Sequence, residues 1–142
     1  RGKYNFTVPA GGSELPSSNE TIEKGLHYFQ MDGREVYETG TKVLPKAINQ
    51  VLSDTGLSIN DIDYMIPHQP SIVILKKTAE IIGLPFEKVM TNMDKYANTS
   101  GGTIPILLDE LKKSKRLNNG DIILFAAVGS GWTYGASIVK WS

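Results

Sequence analysis

The chain has 142 residues, 40% of them apolar and 21% charged, with equal numbers of basic and acidic side chains and no cysteine. That length supports one domain with a genuine core, and zero net charge gives neither nucleic acid nor an anionic membrane a handle. Without cysteine these residues hold no disulfide, no thiolate metal site and no thiol nucleophile, and two histidines are too few for a histidine-rich metal site.

Residues 1–33 show little periodicity. Arg1-Gly2-Lys3-Tyr4-Asn5-Phe6 carries charge but no apolar h-region, so it does not read as a signal peptide. The missing initiator methionine fits either an excised piece of a longer protein or a processed chain. Pro9-Ala10-Gly11-Gly12-Ser13 and Leu15-Pro16-Ser17-Ser18-Asn19 are rich in turn formers, so 1–33 is expected to be an irregular connecting segment. A domain is expected over 34–142.

From Glu35 the pattern becomes helical. Val36, Gly40, Val43, Leu44, Ala47, Ile48, Val51 and Leu52 recur at three- and four-residue spacing. Pro45 is expected to kink this helix, and Gly56 to cap it in the left-handed conformation. Ile62 to Pro67 reads as a short strand. Ser71 to Ile82 reads as a second helix, stopped by Gly83-Leu84-Pro85. Lys88 to Asn92 is expected to be a brief strand. Ile104, Leu107, Leu108 and Leu111 mark a third helix, with Pro105 in its first turn and an Asp109–Lys113 pair on its wet side.

Asn118-Asn119-Gly120 is a turn and Asp121 to Val128 a buried strand, whose apolar run Ile122 to Val128 is too short to span a bilayer. Gly129-Ser130-Gly131 bends the chain, and Trp132 to Trp141 alternates as a closing strand. This order predicts an α/β fold: a mixed sheet ending in an antiparallel pair, with helices packed on it.

Two polar residues stand out. His68 follows an apolar strand, and α/β folds place ligands at strand C-terminal ends. Pro67 and Pro70 stiffen the backbone around it. A lone histidine is more often simply packed or exposed, so position carries the argument here. Asn98 lies in Asn98-Thr99-Ser100-Gly101-Gly102-Thr103, where Thr99, Ser100 and Thr103 suit helix entry. With Thr103 as the N-cap, Asn98 stands too far ahead to cap, which leaves its amide for a ligand.

Gly129-Ser130-Gly131 lies between strands, where a nucleotide loop would not. It suits a close backbone approach with an N–H as donor, or a plain tight turn. Lys112-Lys113-Ser114-Lys115-Arg116 complements a helix C-terminus, and Lys76-Lys77 reads similarly. Trp132, Tyr134 and Trp141 read as core or interface aromatics.

Taken in order, His68-Gln69 after a strand, Asn98-Thr99-Ser100 before a helix, and the 129–131 turn followed by Trp132-Thr133-Tyr134-Gly135 resemble the C-terminal half of β-ketoacyl-acyl-carrier-protein synthase III. The likeness covers residues 31–142 and implies half of a thiolase-like fold. It implies a decarboxylative Claisen condensation of an acyl-CoA with malonyl-carrier-protein, on a cysteine supplied by an N-terminal half. His68 and Asn98 would donate to the malonyl thioester oxygen, and the Ser130 N–H would form half of an oxyanion hole. No cofactor is implied beyond the thioester substrates. A cytoplasmic homodimer is implied for the intact protein.

Pro70 and Ser71 depart from the family's His-Gln-Ala-Asn, Ser130 interrupts its three glycines, and Val73 replaces a basic residue that helps to dock the carrier. Lys76 and Lys77 remain as docking groups. Two other readings stay open: a non-catalytic thiolase-like partner subunit, and an α/β module binding a small anion.

Overall fold

The computed structural model describes residues 6–142, so the first five residues of the segment expected to be irregular lie outside it. The chain divides into two compact units, Arg1–Thr39 with Gly129–Thr133, and Gly40–Val128 with Tyr134–Ser142.

In the first unit β1 (Phe6–Thr7) pairs antiparallel with β2 (Gln30–Met31), with Phe6 opposite Met31 and Thr7 opposite Gln30. Phe6 meets Phe29 edge-on, ring centroids 4.5 Å apart. Between the strands lies α1 (Asn19–Glu23). Its start is a reciprocal cap: the Ser18 hydroxyl accepts from Thr21 N–H at 3.2 Å, and Thr21 Oγ1 accepts from Ser18 N–H at 2.8 Å. The expectation of an irregular segment is corrected to this extent. Elements of two and five residues are too short to show periodicity.

α2 (Gly33–Thr55) begins on an Asp32 carboxylate that accepts from the N–H groups of Arg34 and Glu35, each at 3.1 Å. Leu44, Ile48 and Leu52 form its buried stripe. Pro45 is buried inside it, and the helix stays one element across that position. Gly56, at φ +68°, ends it as expected.

The second unit is built on a three-stranded sheet of β3 (Tyr64–Pro67), β4 (Ile122–Gly129) and β5 (Thr133–Lys140), in the order β3-β4-β5. β3 and β4 are parallel, with Tyr64 opposite Ile123 and Pro67 opposite Ala126. β5 returns antiparallel: Trp141 N–H donates to Asp121 O and Gly120 N–H to Trp141 O, each at 2.8 Å. The expected mixed sheet is therefore present. β4 is the central strand and buries residues on both faces, whereas β5 at the edge is mostly exposed.

α3 (Ile72–Ile82) follows β3, with Ser71 at its N-cap and Gly83 at φ +74° closing it. α5 (Thr103–Lys113) lies against β3. Ile66, Met90, Leu107, Leu111 and Ile123 form a buried cluster between that helix and the sheet. The strand expected over Lys88 to Asn92 is not there. A 3₁₀ turn at Phe86–Lys88 leads into a single bridge, Met65 to Val89, with Met90 N–H donating to Met65 O at 2.8 Å.

The chain then leaves the sheet because Asn92, 4% exposed, turns inward and donates to Glu110 Oε2 at 2.8 Å. α4 (Met93–Tyr96) follows, an element the sequence did not signal. Among the described residues no helix is long and apolar enough to cross a membrane.

Candidate active site

His68 sits one residue beyond β3 and continues its ladder, its N–H donating to Ala126 O at 2.8 Å. The flanking residues are locked from beneath. Pro67 and Gln69 are fully buried, and Gln69 Nε2 donates to Pro67 O at 2.9 Å and to Met90 O at 3.3 Å. The imidazole is half-buried, with Nδ1 2.7 Å from Thr103 Oγ1. Burial pushes the His68 pKa below the ordinary histidine value, and the nearby Ser100 carbonyl offsets part of that shift. Burial therefore favours the neutral ring.

This has a stability consequence whose sign is fixed. A histidine depressed on folding stabilises the native state above its unfolded value, about 6.5, and that contribution is lost as pH falls through the folded value. Denaturant midpoints measured from pH 8 to pH 5 should fall in the parent and fall less in His68→Gln. Parallel curves for the two would show that His68 is not desolvated.

Asn98 lies in a loop held in costly backbone conformations. Ala97 has φ 55° and ψ −147°, a region almost reserved for glycine, and Ser100 has φ 55°. Asn98 Oδ1 accepts from Ser100 N–H at 2.8 Å, which fixes the carboxamide and leaves its Nδ2 group as the donor. The expectation that the whole amide would be free is thus half corrected.

The geometry behind that expectation also changes. Gly102, not Thr103, is the N-cap of α5, and a 3₁₀ turn at Ser100–Gly102 leads into the helix. The loop is braced from α5 by Glu110, which accepts from Asn92, Lys95 Nζ at 3.3 Å and Tyr96 OH at 3.1 Å. Those donors, Asn92 foremost, hold the Glu110 carboxyl below its usual pKa.

One peptide joins the two residues. Ser100 N–H binds the Asn98 side chain, while Ser100 O accepts both the backbone N–H and, at 3.0 Å, the hydroxyl of Thr103. That hydroxyl is the same one that contacts His68. His68 and Asn98, thirty positions apart, are therefore anchored through Ser100 and Thr103.

Ser130 belongs to the other unit, where it is exposed and its hydroxyl donates to Phe6 O at 3.2 Å. Beside it Gly131 adopts φ +143°, and a Cβ there would lie 3.0 Å from Thr133 Oγ1, so the turn needs glycine. Lys76 is exposed on α3 with Nζ 5.7 Å from the Phe86 ring centroid, and Lys77 Nζ pairs with Glu80 Oε1 at 2.7 Å. Val73 is 56% exposed.

Sequence reasoning missed Thr103 as a partner of His68, and Gln69, Asn92 and Glu110 as supports. Thr103 was visible only as a helix-entry residue. Nothing local marks the other three.

The family described as 3-oxoacyl-[acyl-carrier-protein (ACP)] synthase III C terminal matches residues 52–141. A β-ketoacyl-[acyl-carrier-protein] synthase III from Caldanaerobacter subterraneus is 44% identical over 141 residues, covering 99% of this chain and 42% of the relative. One from Clostridioides difficile is 38% identical over 142 residues, covering 43% of its length. The chain thus spans less than half the length of these relatives.

Among solved structures, the 3-oxoacyl-[acyl-carrier-protein] synthase III of Aquifex aeolicus superposes with a TM-score of 0.78 at 36% identity, over 81% of this chain and 37% of its own. The synthase III of Thermus thermophilus gives 0.82 at 30% identity, over 99% of this chain and 43% of its own. With the family match running through β3, the His68 turn, the Asn98 loop and β4–β5, the chain belongs to the 3-oxoacyl-[acyl-carrier-protein] synthase III C-terminal family.

Proposed function

We propose that residues 34–142 form the thiolase-like C-terminal half of a condensing enzyme that joins an acyl-CoA to malonyl-carrier-protein. The observation that carries this reading is the anchoring of His68 and Asn98 on the one peptide of Ser100. In the reaction a cysteine outside these 142 residues is first acylated by acyl-CoA. The malonyl thioester then loses carbon dioxide, and the electron pair of the broken carbon–carbon bond delocalises onto the thioester oxygen. The resulting enolate attacks the acyl-cysteine carbonyl, the thiolate leaves, and a 3-oxoacyl thioester is released.

His68 and the Nδ2 group of Asn98 stabilise the enolate oxygen by hydrogen bonding. A neutral imidazole suits this step, because an imidazolium would hand its proton to the carbanion equivalent and quench the nucleophile. The Ser130 N–H supplies half of the oxyanion hole for the acyl-cysteine, and the cysteine's own N–H the other half. Lys76 and Lys77 are the docking groups for an acidic carrier. The intact enzyme is a cytoplasmic homodimer using thioester substrates and no further cofactor.

The test is a coupled assay on the full-length protein with acyl-CoA and malonyl-carrier-protein, following carbon dioxide and 3-oxoacyl product together. Both are expected. The 142-residue chain alone should yield no condensation product, since it has no thiol. Product from that chain, or none from the full-length protein, would overturn the assignment.

A further inference from the structure

We infer that Glu110 is a positioning residue for Asn98: its carboxylate clamps the segment before Asn98 onto α5, so that the Nδ2 group is held for the substrate. The inference deepens the proposed condensation and rests on it only for the catalytic consequence.

α4 has four residues, far too few for a helix to stand on its own. Its turn is closed on Asn92 O, which accepts from the N–H groups of Lys95 and Tyr96, each at 3.1 Å. Three side-chain hydrogen bonds tie residues 92–96 to distant parts of the described chain, and all three end on Glu110. Asn92 Nδ2 donates to Oε2 at 2.8 Å, while Lys95 Nζ and Tyr96 OH donate to Oε1 at 3.3 and 3.1 Å. The bond from Asn92 carries most, because that residue is 4% exposed and a buried amide left without its acceptor is costly. The Lys95 pair is exposed and long, and contributes little.

Glu110 stands seven positions after Thr103, the first residue of α5. At 3.6 residues per turn the two lie on one stripe of the helix, about 10 Å apart. The chain is thus tied to α5 at Glu110 and rejoins it at Thr103, with Asn98 in between. Ala97 turns the chain inside that span at φ 55° and ψ −147°, a conformation that persists only where its surroundings hold it. Tyr96 is held by Glu110 on one side, and Asn98 by the Ser100 N–H on the other. No hydrogen bond joins Glu110 to His68 or Asn98 among the described residues, so its action is on where the chain enters Asn98.

The consequence is chemical. A donor serves a developing charge only when it is already in place, and a misplacement of about 1 Å can cost about 100-fold in rate.

The experiment uses the full-length protein and reads each variant three ways: decarboxylation of the malonyl thioester, acylation of the cysteine, and amide hydrogen exchange over residues 93–101. Glu110→Ala is expected to lower kcat for decarboxylation about 10- to 100-fold, with KM little changed and acylation spared. In an Asn98→Ala background the same change should have no further effect on decarboxylation, since the clamp acts through that side chain. Exchange over 93–101 should quicken in Glu110→Ala, while the peptide carrying His68 stays as in the wild type. Glu110→Gln keeps one oxygen for Asn92, so it should lose less, and it serves as the readout if the alanine variant does not fold. Equal loss of acylation and decarboxylation would overturn the inference. So would a loss that adds in full to that of Asn98→Ala, or unchanged exchange over the loop. Exchange reports the clamp whatever reaction the protein performs. Decarboxylation that survives Asn98→Ala would instead count against the proposed condensation.

Discussion

His68→Ala in the full-length protein is expected to lower malonyl decarboxylation about 10²–10³-fold, the effect of losing one preorganised donor, about 2.7–4 kcal/mol. Acylation of the cysteine by acyl-CoA should fall far less. In the proposed reaction the two steps develop charge on different oxygens: the acyl-transfer oxyanion would face backbone N–H groups, one of them that of Ser130, whereas the enolate oxygen would face His68 and Asn98. Asn98→Ala should show the same split, because its oxygen is committed to Ser100 N–H and only Nδ2 is left for the proposed contact to substrate.

Trapping of radiolabelled acyl-enzyme, run beside carbon dioxide release, separates the steps. Equal loss of both in His68→Ala would mean that the histidine serves acyl transfer too, and the division of labour would be wrong. The double variant should lose little more than either single one if the two donors act on one oxygen as a unit.

Ile66→Ala is expected to destabilise the fold by about 2–5 kcal/mol, measured as a shift in urea midpoint. Ile66 is fully buried on β3, facing Met90, Leu107, Leu111 and Ile123, so truncation leaves a cavity against both the sheet and α5. The site is two residues from His68, and α5 carries Thr103, so the same change should also loosen the geometry that positions the imidazole. Ile66→Val should cost only about 0.5–1.5 kcal/mol. On β5, where Val139 is 43% exposed, Val139→Ala should stay within about 0.5 kcal/mol. A loss below 1 kcal/mol for Ile66→Ala would mean that the cluster can collapse around the gap, and that the core between sheet and helix is not closed as described.

Much of this protein is written in short-range signals. The period of Leu44, Ile48 and Leu52, the left-handed glycines at 56 and 83, and the buried run from Ile122 to Val128 each report a local energetic preference, so they fixed helices, caps and the central strand by themselves. The types and order of His68-Gln69, Asn98-Thr99-Ser100 and Gly129-Ser130-Gly131 were also enough to identify the family, whose match leaves no place for an unrelated anion-binding module. Where an element depends on distant groups, the reading failed. Lys88 to Asn92 has strand-like residues, yet the chain peels away after one bridge because Asn92 finds Glu110 eighteen positions on. Lys95 and Tyr96 of α4 bond that same carboxylate, and no neighbour of Glu110 in sequence announces it.

The site divides along the same line. A histidine and an asparagine could be singled out from the sequence, since their chemistry is a property of residue type and local frame, and their roles belong to the proposed reaction. That burial favours the neutral histidine, that its Nδ1 meets a threonine hydroxyl thirty-five positions away, and that half of the asparagine amide is spent on its own loop were decided by tertiary structure. Desolvation and hydrogen-bond partnership depend on what folding brings within 3 Å, and the chain carries no local record of them.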